Sequence, residues 1–204
     1  VCQTAHREDC PFPQEMRYEL PGLVIDNCAM AGRSSKTFRE EGRLDDIAAH
    51  IRPGDLLVVS FGHNDANRAK AERYVPADAF GESLRPFWDA ARSHGAVCVF
   101  ASPVAMREFD EDGVCRPSFA AYREAMRAFA AEVGAPFIDL GSATAAANTA
   151  LGAERCKTRY MWVGAKQDNA HQQNAGACRT AQAFVQQLLQ DTTPTLDVLR
   201  ANFK

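Results

Sequence analysis

Four short apolar runs, at 23–28, 55–60, 96–101 and 137–140, alternate with segments whose apolar residues return every three or four positions. The second run, Asp55-Leu56-Leu57-Val58-Val59, is opened by Pro53-Gly54 and reads as a strand buried on both faces. Helical stripes follow at Leu44, Ile47, Ala48 and Ile51, at Phe80, Leu84, Phe87, Trp88 and Ala91, and at Phe119, Tyr122, Met126, Phe129 and Val133. A last stripe runs through Ala177, Ala181, Phe184, Val185, Leu188 and Leu189. Strands that alternate with helices in this way predict a parallel sheet covered by helices. Pro86 predicts a kink or break in its helix. The segments 33–38, 104–117 and 157–174 read as loops, a weak Ala-rich helical region follows 137–140, and the tail from Asp191 shows no core role. Residues 1–22 begin as a loop, with a short helix over 14–20.

With 204 residues, 46% apolar and 24% charged, the chain is expected to form one soluble domain over 1–204 with a substantial core. A net charge of −3 argues against a nucleic-acid partner. No apolar run approaches the roughly 18 residues of a membrane span, and no leader is visible at the N-terminus. The compartment stays open between the cytoplasm and secretion after loss of a leader. None of the seven cysteines falls in a C-x-x-C pair, which argues against a zinc or thioredoxin-like site. Cys98 and Cys178 are expected as small buried hydrophobes, and one bridge is left open among Cys2, Cys10, Cys115 and Cys156.

Polar residues gather where the apolar runs end. Ser60-Phe61-Gly62-His63-Asn64-Asp65 follows the second strand, and open α/β sheets bind ligands at the carboxyl ends of their strands. The same residues also make a good turn. Gly32 follows the first run, and Asp168 with His171 lies just ahead of the last helix. A carboxylate three residues from an imidazole holds one ring nitrogen and leaves the other to take a proton from a nucleophile. The alternative is that Asp168 or Asn169 caps the helix and His171 is a solvated loop residue. A backbone N–H at Gly32 and the Asn64 amide are neutral donors suited to a tetrahedral oxyanion, an effect worth roughly 3–4 kcal/mol per donor lost. No ligand cluster for a metal stands out, and no cofactor is expected.

Ala31-Gly32-Arg33-Ser34-Ser35, Phe61-Gly62-His63-Asn64-Asp65 and Asp168-Asn169-Ala170-His171 resemble blocks II, III and V of the SGNH (GDSL-type) hydrolases. Gly32 to Phe38, Glu41-Gly42-Arg43, Pro103-Val104 and Tyr160-Met161-Trp162 are similar to the rhamnogalacturonan acetylesterase branch, and the likeness spans about 28–185. The resemblance implies a three-layer α/β/α flavodoxin-like fold and serine-dependent removal of acetyl groups from a pectic polysaccharide or oligosaccharide. It makes His171 the general base, Asp168 its orienting acid, and Gly32 and Asn64 the oxyanion donors.

The family's block I, a Gly-Asp-Ser sequence that ends the first strand and carries the nucleophile, has no counterpart in the 204 residues. Val1-Cys2-Gln3-Thr4 resembles the residues directly after that block, so the first strand is expected upstream, with its supply by another segment as the alternative. Ser34 and Ser35 read as loop hydrogen-bonders or a helix cap rather than as substitutes. Trp162 and Tyr160 are candidates to stack on a sugar, with core packing as the alternative. Arg33 and Arg107 are candidates to meet a galacturonate carboxylate, with a solvated or structural arginine as the alternative. His63 is a candidate to position Asn64. Two rival functions stay open: a glycan-binding relative without a nucleophile, and a lipase or thioesterase on the same scaffold.

Overall fold

The structure is a computed structural model, and it describes residues 24–197. Two compact units are each assembled from separate stretches of chain. One contains the described residues 32–103, 119–138 and 188–197, and the other contains 24–31, 104–118 and 139–187.

In the first unit, α1 (Ser35–Glu40), α2 (Arg43–Ala48), β1 (Leu56–Val59), α3 (Ala77–Ser93), β2 (Val97–Ala101), α4 (Ala120–Val133) and β3 (Phe137–Ile138) follow in order. The three strands form a parallel sheet in the order β1-β2-β3, with Leu56 opposite Val97 and Phe100 opposite Phe137. Such pairing requires a crossover between strands, and α3 and α4 supply it. Phe80, Leu84, Phe87 and Ala91 of α3 are buried at intervals of four, three and four residues. Each large apolar side chain so covered contributes roughly 1.5–3 kcal/mol. The helix runs unbroken through Pro86, so the predicted break does not occur. The packing of α3 on α4 is close at Gly81, where an added Cβ would lie 3.3 Å from Phe129 Cβ.

Several expectations are corrected in this unit. The segment read as a polar loop at 33–38 contains α1, whose N-terminus is closed by a reciprocal cap between Ser34 and Thr37. With Phe38 as its one large apolar residue, α1 is too short to show a period. In β1 only Val59 is fully buried, because among the described residues β1 pairs on one side alone. The tail does have a core role: Leu196, in a 3-10 turn at Pro194–Leu196, is fully buried.

The second unit contains α5 (Leu140–Leu151), α6 (Ala153–Cys156), a 3-10 turn (Lys157–Arg159), β4 (Tyr160–Val163), β5 (Lys166–Gln172) and most of α7 (Asn174–Gln190). The expected loop at 157–174 is therefore an antiparallel hairpin. Its second strand, Lys-Gln-Asp-Asn-Ala-His-Gln, has no apolar alternation to announce it and is held by its partner. Ala177, Ala181, Phe184, Val185 and Leu188 of α7 are buried, whereas Leu189 is exposed. Gly176 brings α7 against the Arg159 carbonyl, which a Cβ would strike.

The strand expected at 23–28 is not formed by residues 24–28, and Val24 is 95% exposed. Leu23, the helix at 14–20, Cys2 and Cys10 lie outside the described residues. Cys98, Cys115 and Cys156 are free buried thiols. No helix among the described residues is long and apolar enough to cross a membrane.

Candidate active site

The Asp168-His171 pair is built by an irregularity in the hairpin. Trp162 stands opposite Gln167 and Tyr160 opposite Gln172, so one residue on β4 faces four on β5. Those four are Asp168, Asn169, Ala170 and His171. A bulge of this kind frees side chains from the ladder and re-aims them. Asp168 Oδ1 accepts from the backbone N–H groups of Ala170 and His171, both at 2.9 Å. Its Oδ2 lies 2.6 Å from His171 Nδ1. Burial pushes this carboxyl up, but the two backbone donors and the His171 ring outweigh it, and the group sits at about 2. An ionised Asp168 fixes the proton of His171 on Nδ1 and leaves Nε2 as the acceptor. The helix-cap alternative fails, because Asp168 caps the bulge and α7 starts only at Asn174.

Asn169 anchors the bulge from behind. Its Oδ1 accepts from Trp162 Nε1 at 2.9 Å and Arg107 Nη1 at 3.2 Å, and its carbonyl accepts from Arg107 N at 2.7 Å. Arg107 also donates from Nε and Nη2 to the Ala153 carbonyl, at 3.1 and 2.8 Å. The Arg107 guanidinium and the Lys157 ammonium lie over the Trp162 ring at 4.8 and 4.7 Å. Those contacts favour the structural alternative for Arg107 and leave Trp162 a poor platform for a sugar. Tyr160 is fully buried, accepts from Asn148 Nδ2 at 2.9 Å and donates to the Ala105 carbonyl at 2.6 Å. It is a core residue.

The other predicted residues are arranged in the sheet unit. Gly62 follows β1 with φ +130°, and a Cβ there would lie 2.5 Å from Pro103 Cγ, so no other residue fits the turn. Asp65 does not project as a ligand. It is fully buried and accepts from Ser35 N at 2.9 Å, Ser35 Oγ at 2.6 Å and Gly62 N at 2.9 Å. Burial pushes its carboxyl up against the pull of those donors. Asp65 thus ties the loop after β1 to the start of α1, which carries Gly32 and Asn64 with it.

Asn64 donates from Nδ2 to the Arg33 carbonyl at 3.1 Å and accepts from Arg73 Nη1 at 3.0 Å. These partners orient its amide, and the His63 ring packs edge-on against Phe119 at 4.8 Å. Gly32 adopts φ +77°, and a Cβ there would lie 3.7 Å from Arg73 Nη1. Arg33 grips both oxygens of Glu41 through Nε, at 2.9 and 3.0 Å, and that contact holds the Glu41 carboxyl below its usual range, with Arg43 adding to it. Ser34 and Ser35 are fully buried, one in the α1 cap and the other bound to Asp65, so neither offers a nucleophile. Arg73 was invisible to sequence reasoning, since nothing in the turn-rich stretch 66–75 marks it. Among the described residues no cluster of three or more His, Cys, Asp or Glu is placed to hold a metal ion.

A glycine and an asparagine amide at the ends of two segments, with a carboxylate–imidazole pair in a bulge, are the parts from which acyl-transfer sites are made. The sequence model of the GDSL-like lipase/acylhydrolase family matches residues 3–176. The chain belongs to that family. It is 35% identical over 187 residues to the rhamnogalacturonan acetylesterase RhgT of Bacillus subtilis, covering 87% of this chain and 79% of the relative. To the probable rhamnogalacturonan acetylesterase YesY of the same organism it is 40% identical over 156 residues, covering 76% and 71%. The crystal structure of the Bacillus subtilis protein YxiM superposes with a TM-score of 0.82 at 26% identity, covering 93% of this chain. The chain spans about half, 53%, of that structure. The acetylxylan esterase Axe2 of Geobacillus stearothermophilus matches with a TM-score of 0.61 at 17% identity, covering 85% of this chain and 77% of Axe2, a likeness of fold alone. The α/β fold with a parallel sheet and flanking helices, expected from the alternation of runs and stripes, is therefore the family's fold.

Proposed function

We propose that the chain belongs to a serine-type carbohydrate esterase that removes acetyl groups from a polysaccharide, with pectic rhamnogalacturonan as the substrate. The observation that carries this reading is the 2.6 Å contact between His171 Nδ1 and an ionised Asp168. It is supported by the names of the two relatives at 35% and 40% identity. The family's block I serine supplies the nucleophile. Its hydroxyl oxygen attacks the acetyl carbonyl while His171 Nε2 takes its proton. The carbonyl oxygen becomes an oxyanion and receives hydrogen bonds from Gly32 N–H and Asn64 Nδ2. Collapse breaks the bond to the sugar oxygen, which leaves with the proton from His171. Water then repeats the sequence on the acyl-enzyme and releases acetate. Asp168 stays ionised throughout and stabilises the imidazolium.

The test uses protein produced from the full reading frame, assayed on acetylated rhamnogalacturonan, acetylated xylan and a long-chain acyl ester. Acetate release is expected from the pectic substrate first. His171→Ala should lower kcat by about 10³-fold or more. Full activity in that variant would refute the assignment, and a preference for the long acyl ester would replace it with a lipase-like one.

A further inference from the structure

Arg73 stands beside both residues given the oxyanion role. Its Nη1 donates to Asn64 Oδ1 at 3.0 Å, and the same nitrogen lies 3.7 Å from where a Gly32 Cβ would be. The segment that carries it is well anchored. Arg73 N and Tyr74 N both donate to the Lys70 carbonyl at 3.0 Å, and Val75 N donates to the Asp65 carbonyl at 3.0 Å. Tyr122 donates its hydroxyl to the Val75 carbonyl at 2.7 Å, which ties the end of this segment to α4. The Arg73 side chain is 27% exposed, and its approach to Glu72, at 3.7 Å, is looser than its bond to Asn64.

A planar amide held at its oxygen and at one N–H cannot swing. Asn64 is held in that way, by Arg73 at Oδ1 and by the Arg33 carbonyl at one hydrogen of Nδ2. The direction of the second Nδ2 hydrogen is then fixed by geometry. A cation on the amide oxygen also withdraws charge from the nitrogen, which strengthens the remaining N–H as a donor. We propose that Arg73 is a positioning residue for ester hydrolysis: it orients and polarises the Asn64 amide so that its second N–H meets the oxyanion. The inference rests on the reading of Asn64 as an oxyanion donor. It makes Arg73 act through Asn64 rather than on the substrate.

The experiment compares Asn64→Ala, Arg73→Ala, Arg73→Lys and the Asn64→Ala/Arg73→Ala double variant, made in the protein from the full reading frame. Each is measured for kcat and KM on a small acetyl ester and for its melting temperature. Asn64→Ala is expected to lower kcat about 100-fold. Arg73→Ala is expected to lower kcat about 10-fold with KM within about twofold, as for a group that serves the transition state. Arg73→Lys, which keeps a charged donor, should recover most of that loss. The double variant should be no slower than Asn64→Ala, because a residue acting through Asn64 has nothing left to act on.

If Asn64→Ala is slow and Arg73→Ala keeps the parent kcat, the inference falls and the oxyanion reading stands. If Asn64→Ala keeps the parent kcat, both fall. Losses that multiply in the double variant, or a raised KM with kcat unchanged, also overturn the inference, because they place Arg73 on the substrate. Where Arg73→Ala melts below the assay temperature, Arg73→Gln decides. It keeps a neutral donor, so an intermediate kcat supports polarisation and a parent kcat overturns it.

Discussion

Ser35 donates twice to one oxygen of Asp65, from its backbone N at 2.9 Å and from its hydroxyl at 2.6 Å. The other Asp65 oxygen accepts from Gly62 N at 2.9 Å. One buried carboxylate therefore sets the distance between the turn after β1 and the start of α1.

Asp65→Asn can satisfy only one of those two sides, because its nitrogen accepts nothing. Leaving a buried donor unmet costs about 1–3 kcal/mol, so the variant should melt earlier and lose esterase activity as Asn64 shifts. Chemical denaturation alongside an acetyl-ester assay checks both. Unchanged stability would remove Asp65 from this role.

The carboxyls of Asp168 and Asp65 predict opposite pH behaviour. Asp168 is held at about 2 against 3.8 when unfolded, so its stabilisation is present above pH 4 and is lost as pH falls toward 2. The window is worth roughly 2 kcal/mol. Asp65 is raised by burial, so its ionisation weakens the fold as pH climbs above 3.8. Denaturation curves of the parent and Asp168→Asn between pH 2 and 6 should converge at the acid end and separate above pH 4. Parallel curves would contradict the assignment.

Gly62→Ala should destabilise by about 2–4 kcal/mol, combining the strain of a left-handed φ with the clash on Pro103. The adjacent His63 and Asn64 would move with it, so kcat should fall even in the folded fraction. Thermal melting and active-site kinetics on the same sample test the two effects separately.

The thiols of Cys98, Cys115 and Cys156 are buried, and burial pushes those of Cys98 and Cys156 up. Alkylation at neutral pH should leave all three unmodified in the native protein and label them on unfolding. Mass-spectrometric mapping of the labelled positions is the check. Rapid native labelling of Cys98 would show that β2 is open.

The residue pattern alone settled the alternation of strands and helices. The long elements α3, α4 and α7 were legible because a buried stripe repeats often enough in them to be counted. The Gly-His-Asn-Asp and Asp-x-x-His stretches were legible because their residue types and order resemble the family's blocks. Tertiary structure decided the rest. β5 has no apolar alternation and exists because β4 pairs with it, while residues 24–28, read as a strand, form none. Local composition could not show that Asp65 turns inward, that Leu196 is covered, or that Arg73 reaches Asn64. Those facts depend on partners distant in the chain, and a side chain's role is set by the groups it is brought against.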